Sequence, residues 1–184
     1  PAEKTLPGGP YLLCVGSTLG RKNLECVFNA LAALAVKNRP FPQLALAGVA
    51  RKRVSKFLSD DRYASIRQSV VMIHDPNQTD LVNLYKNALA LILPSKTEGW
   101  GLPAGEALWL GIPALCSDIP VLREVCAELG LYFDPDSPEQ LADIIDRLCS
   151  DPAYRSTVHQ NIADHRRDLR SWRDVAQDVL AALR

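Results

Sequence analysis

Apolar residues fall along this chain in short unbroken runs, separated by stretches in which they recur three or four positions apart. Tyr11–Val15 is the first such run; a polar turn from Gly16 to Lys22 follows it, then a helical stretch from Asn23 to about Val36 with Leu24, Val27, Phe28, Leu31 and Leu34 on one face. The unit recurs with strand Leu44–Ala47, turn Gly48–Arg51 and a helix within Val54–Gln68, then strand Val70–Ile73, loop His74–Gln78 and a helix from about Thr79 to Asn87. Strand Ala90–Leu93, loop Pro94–Gly101, a helix Pro103–Leu110 closed by Gly111, and strand Ala114–Ser117 complete the regular part. A shorter sixth strand, Leu131–Phe133, precedes Ser137-Pro138-Glu139, a helix start with proline at the first helical position. The remainder reads as helical to the end.

Strands that are apolar at every position are buried on both faces, and helical crossovers between them require parallel pairing. The chain therefore predicts an α/β fold: a Rossmann-like, doubly wound parallel sheet of about six strands, helices on both faces and a helical C-terminal end. Residues 1–10 carry three prolines and two glycines without hydrophobic period and read as a linker; 11–184 reads as a single domain.

Composition narrows the class. Hydrophobic residues make up 47% of the 184 positions and charged ones 23%, which excludes disorder and lets a core form without staples. Twenty-one basic side chains balance 21 acidic ones, so there is no broad basic footprint for nucleic acid. The five cysteines, Cys14, Cys26, Cys116, Cys126 and Cys149, lack metal-ligand spacing and read as buried thiols in a reducing compartment. No run approaches a membrane span, and the first ten residues lack the regions of a signal peptide, so a cytoplasmic domain is expected.

Ligands of open parallel sheets bind beyond the carboxyl ends of the strands. Two turns there carry chemistry. In Gly16-Ser17-Thr-Leu-Gly20-Arg21-Lys22-Asn23, the glycines admit a close backbone approach and two cations precede a helix, which suits a diphosphate; turn glycines beside solvated charges fit the same residues. In Pro94-Ser-Lys-Thr-Glu98-Gly99-Trp100-Gly101-Leu102-Pro103-Ala-Gly-Glu106, proline at the helix start leaves the amides around Gly101, Leu102 and Ala104 open to an anion. Glu106 sits among Ala104, Gly105, Ala107, Leu108 and Trp109, where a charge needs a partner, and helical side chains lean back toward the helix N-terminus. Two carboxylates thus flank an anion site, and the hydroxyls on either side of a sugar nucleotide's diphosphate are natural partners. A helix cap at Glu98 and a structural ion pair at Glu106 are the plain alternatives.

Glu98 and Glu106, in the setting Glu-Gly-Trp-Gly-Leu-Pro-Ala-Gly-Glu-Ala-Leu, resemble the donor-site signature of the retaining GT-B glycosyltransferases of group 1. The first-strand turn, Leu81-Val-Asn-Leu-Tyr85-Lys-Asn-Ala88, and Cys116-Ser-Asp-Ile-Pro-Val-Leu-Arg-Glu-Val125 match as well, so the resemblance runs from about Tyr11 to Phe133. It implies that Glu98 holds hexose hydroxyls, Glu106 the ribose hydroxyls, and Lys22 with Arg21 the departing diphosphate. Gly16, Ser17 and the segment Gly99, Trp100, Gly101 and Leu102 would line the donor. Many members carry Arg where this chain has Ser17.

The implied reaction is transfer of a mannose- or glucose-type hexose from a nucleoside diphosphate sugar to a glycan or lipid-linked acceptor, with retained configuration and neither metal nor cofactor. A preceding acceptor domain would complete the site, so the 184 residues are expected to bind donor without turning it over. Ser171-Trp172-Arg-Asp-Val-Ala-Gln-Asp-Val-Leu resembles the closing helix that packs on that domain; Trp172, Val175, Val179 and Leu180 capping this domain's own core is the other reading. His74 is either a contact to the base or to a phosphate, or a solvated loop residue. His159, His165, Arg155, Arg166, Arg167 and Arg170 form either a solvated face or a peripheral contact with an anionic membrane. A GT-B nucleotide-sugar epimerase and a non-catalytic nucleotide-binding module are the competing functions.

Overall fold

A computed structural model describes residues 7–16 and 22–183. Six strands, β1 (Tyr11–Val15), β2 (Gln43–Ala47), β3 (Val70–Ile73), β4 (Ala90–Leu93), β5 (Ala114–Ser117) and β6 (Leu131–Phe133), pair in parallel in the order β3-β2-β1-β4-β5-β6. The eight helices among the described residues are α1 (Leu24–Val36), α2 (Arg51–Leu58), α3 (Gln78–Lys86), α4 (Leu102–Trp109), α5 (Pro120–Cys126), α6 (Pro138–Ser150), α7 (Pro152–His165) and α8 (Trp172–Ala182). This is the predicted doubly wound α/β architecture.

Strand side chains alternate between two cores. Leu12, Cys14, Leu44, Leu46, Ala90, Ile92 and Leu115 face one side and meet α1, α2 and α6 through Phe28, Leu31, Val54 and Ile145. Leu13, Ala45, Ala47, Leu91, Leu93, Ala114 and Cys116 face the other and meet α3, α4, α5 and α7 through Leu84, Leu108, Leu122 and Ile162. Burial on both faces is why the strands read as continuous apolar runs rather than alternating ones. A bidentate Arg39–Asp146 pair, with nitrogen–oxygen distances of 2.7–3.1 Å, ties the end of α1 to α6.

Local chemistry moved several boundaries. The helix expected within Val54–Gln68 begins at Arg51 and stops at Leu58, because the Asp60 carboxylate accepts the Arg62 N–H and starts a new 3₁₀ turn, Asp61–Tyr63. Helix α5, absent from the sequence reading, starts on Pro120 and is too short to show helical periodicity. The helical tail breaks twice: at Asp151, whose side chain caps α7, and between His165 and Ser171, after which Ser171 and Asp174 form a capping box for α8. Helix α8 rests only loosely on the domain: none of its residues is fully buried, and Val175 is half-buried while Val179 and Leu180 are exposed. Its Trp172 is 68% exposed, beside exposed Val179, Leu180 and Leu183.

Cys14, Cys26, Cys116 and Cys126 are buried free thiols, and Cys149 is partly buried. Burial pushes the Cys14 thiol up to about 12 and the Cys26 thiol up to about 11.

Candidate functional site

The strand order reverses between β1 and β4. The chain leaves β1 for a helix on one face and leaves β4 for a helix on the other, so the two loops part and open a crevice above the sheet. Both predicted motifs lie on these loops. Lys22 arrives from the β1 side and Glu98 from the β4 side, and Lys22 Nζ stands 2.8 Å from Glu98 Oε1 with the side chains only 12% and 7% exposed.

Gly16 makes this approach possible. Its φ is +132°, and a Cβ there would lie 2.9 Å from Lys22 Cε, so any larger residue would push the lysine stem aside. Ser17 and Arg21, both expected at the site, lie outside the described residues. Asn23 does not cap α1 with its side chain; it takes a left-handed backbone, φ 46°, and donates instead to the Pro135 carbonyl at 2.7 Å.

Ser95, fully buried at the end of β4, donates its hydroxyl to Glu98 Oε1 at 2.6 Å. That oxygen thus receives both an ammonium and a hydroxyl, which fixes the carboxylate in one orientation and compensates its burial. The cap position of α4 is held by Gly101 rather than by Glu98.

Gly101 occupies the cap position with φ 87°, and a Cβ there would fall 2.4 Å from Leu122 Cδ2. Only glycine both adopts this backbone and clears α5. The Ala104 amide, expected to be open, turns inward onto the Gly101 carbonyl at 3.0 Å in a tight first turn. Among the described residues the Gly101 and Leu102 amides meet no acceptor, and they carry the positive end of the α4 dipole.

Glu106 is not enclosed by its apolar neighbours. It lies on the exposed face of α4, and its Oε2 accepts the Tyr85 hydroxyl at 2.9 Å. Tyr85 comes from α3 and is 2% exposed; burial, then the adjacent carboxylate, raise its phenol well above the ordinary range, so it remains a donor. The Glu106 partner is therefore a phenol rather than a structural cation. Neither Tyr85 nor Ser95 was singled out as a site residue in the sequence, although both lie inside the motifs that were.

The Trp100 ring stacks on Trp172, centroids 6.1 Å apart and planes 16° from parallel. With Leu102, Glu106, Trp109 and Leu169 these rings line a groove of about 320 Å³ between α4 and α8. Much of the basic group on and just after α7 is occupied in capping: Arg166 donates to the Trp109 carbonyl at 3.1 Å and Arg155 to the Leu148 carbonyl at 2.6 Å, while the His159 ring sits 3.3 Å from the Gly111 carbonyl. His74 is exposed in its loop, and among the described residues no helix is long and apolar enough to cross a membrane.

The crevice thus offers an ammonium for an oxyanion, a positioned carboxylate for neutral hydroxyls, open amides at a helix N-terminus, and a second carboxylate one turn further on. Residues 2–165 match the family described as "Glycosyl transferases group 1". An uncharacterized glycosyltransferase of Methanocaldococcus jannaschii is 27% identical over 172 residues, covering 92% of this chain and 43% of that protein. O-antigen chain mannosyltransferase B of Escherichia coli is 30% identical over 147 residues, covering 79% of this chain and 38% of that one. The solved sucrose-phosphate synthase of Thermosynechococcus elongatus superposes with a TM-score of 0.78 at 27% identity, over 97% of this chain and 46% of its own. This chain therefore spans less than half the length of each of these three relatives.

Proposed function

Because the chain belongs to the group 1 glycosyl transferases, we propose that it forms the donor-binding half of a retaining hexosyltransferase, taking a mannose- or glucose-type sugar from a nucleoside diphosphate to a glycan or lipid-linked acceptor. The observation that carries this reading is the meeting of Lys22 and Glu98 at 2.8 Å across the strand switch point. Without ligand the two neutralise each other; a sugar nucleotide offers each a separate partner, its diphosphate for Lys22 and its hexose hydroxyls for Glu98.

Negative charge builds on the diphosphate as the glycosidic bond breaks. Lys22 and the Gly101 and Leu102 amides are prepositioned where that charge develops, and Arg21 is assigned to the same task. Glu98, held by Ser95, orients the hexose so that the acceptor hydroxyl attacks the anomeric carbon from the face the diphosphate leaves. Glu106 takes the ribose hydroxyls. The mannose-type assignment draws support from the mannosyltransferase among the relatives. The acceptor half is assigned to another part of the protein, and the unburied apolar face of α8 is a surface for it to cover.

Calorimetric titration with GDP-, UDP-, ADP- and dTDP-mannose or -glucose tests the reading. One donor is expected to bind, with Lys22→Ala weakening it roughly tenfold or more, as loss of a charge-assisted contact does. Absence of binding across the whole panel would overturn it. The stereochemistry is checked by proton NMR of the product formed by the full-length protein, where an inverted anomer would exclude retention.

A further inference from the structure

Two tyrosines are buried in the core beneath α3 and α4, and they use their hydroxyls differently. Tyr11 donates to the Leu84 carbonyl at 2.7 Å, the ordinary way to satisfy a buried phenol. Tyr85, the neighbour of Leu84, reaches across to a side chain on another helix, Glu106, and that side chain is exposed. An exposed glutamate on an outer helix face ordinarily samples several rotamers. Here one oxygen, Oε2, is tethered from below, and among the described residues Oε1 accepts no hydrogen bond.

We propose that Tyr85 is a positioning residue that aims Glu106 Oε1 at the vicinal hydroxyls of the nucleotide ribose, and so makes the site selective for ribonucleoside over 2′-deoxyribonucleoside diphosphates. The inference rests on the reading of Glu106 as the ribose acceptor. A carboxylate fixed at one oxygen presents the other at a constant height above the sheet, and a ribose places two donors against it where a 2′-deoxyribose places one. A freely rotating glutamate would follow either sugar and discriminate less. The phenol is suited to the task because its desolvated proton stays bound across the working pH range and because its ring, packed in the core, cannot follow the ligand.

The test is calorimetric, with GDP, UDP and ADP each compared with its 2′-deoxy counterpart on the 184-residue chain. The native protein is expected to bind the ribonucleotide of its preferred base about tenfold more tightly than the deoxy form, the size of one hydrogen bond to a charged group. Tyr85→Phe, which keeps the packed ring, should bring that ratio below about threefold, chiefly by weakening the ribonucleotide. Tyr85→Met, which fills similar space without a donor, should repeat the result. If Glu106→Ala abolishes the preference but both Tyr85 variants retain it, the positioning role is overturned and the ribose reading stands. If Glu106→Ala retains the preference, the ribose reading fails and the inference with it.

Discussion

Gly101 shows how one residue can be held in place by two independent constraints. Its φ of 87° strains any side-chain-bearing residue, and a Cβ would overlap Leu122 by more than its methyl can yield. Gly101→Ala is therefore expected to cost about 3 kcal/mol or more, read as a lower urea midpoint, and to displace the open end of α4. Ser95 makes a different demand. Removing its hydroxyl leaves Glu98 Oε1 with the Lys22 ammonium but without its buried hydroxyl donor, so Ser95→Ala should weaken sugar-nucleotide binding about tenfold and leave binding of the plain nucleoside diphosphate nearly unchanged. Equal loss for both ligands would place Ser95 outside sugar recognition. The thiols set a pH limit: Cys14 is raised to about 12, so above about pH 9 the unfolded chain releases a proton that the folded chain retains. Folding is fully supported below that pH and loses about 1.4 kcal/mol per pH unit from this group as pH rises toward 12. Chemical denaturation at pH 8 and pH 10.5 should show a smaller decline in Cys14→Ala than in the native chain.

At the scale of elements, Ser137 followed by Pro138 made the start of α6 legible, whereas the caps at Asp151 and at Ser171 with Asp174 break a tail that read as helical throughout. Two helices were misplaced or missed: α2 starts on an uncapped Ala50, and α5 runs from Pro120 to Cys126 with few turns to display a period. The α8 box makes a prediction of its own. Hydrogen bonds from the Ser171 hydroxyl and amide lower the Asp174 carboxyl from its ordinary value, so its contribution is present above about pH 4 and is lost as pH falls through the depressed value. Helix α8 buries no residue, so it should exchange amide hydrogens faster than α1 or α6 and lose protection first on acidification. Equal protection of α8 and α6 at low pH would count against a helix held mainly by its own caps.

For the whole molecule, the reversal of strand order between β1 and β4 brings together loops whose key residues, Lys22 and Glu98, lie far apart in sequence. The relatives are more than twice as long as the matched part, and α8 leaves Trp172, Val179, Leu180 and Leu183 exposed. The isolated 184 residues are expected to bind donor without transferring sugar, and joining them to the remainder of a full-length protein should restore transfer and protect α8 from exchange. Glycosyl transfer by the isolated chain would refute the half-site assignment.

Runs such as Leu12-Leu13-Cys14 and Ala90-Leu91-Ile92 determined the strands, their burial on both faces and the parallel sheet, because period and apolarity are properties of local sequence. The Glu98–Glu106 motif likewise announced its helix start and its two carboxylates. What those carboxylates touch was decided only in three dimensions. Ser95 reaches Glu98 from within the motif, but Lys22 and Tyr85 come from other elements, and Trp172 of α8 meets Trp100 only through the tertiary arrangement. A side chain's partner depends on the strand order that brings distant loops together, and one-dimensional periodicity does not encode that order.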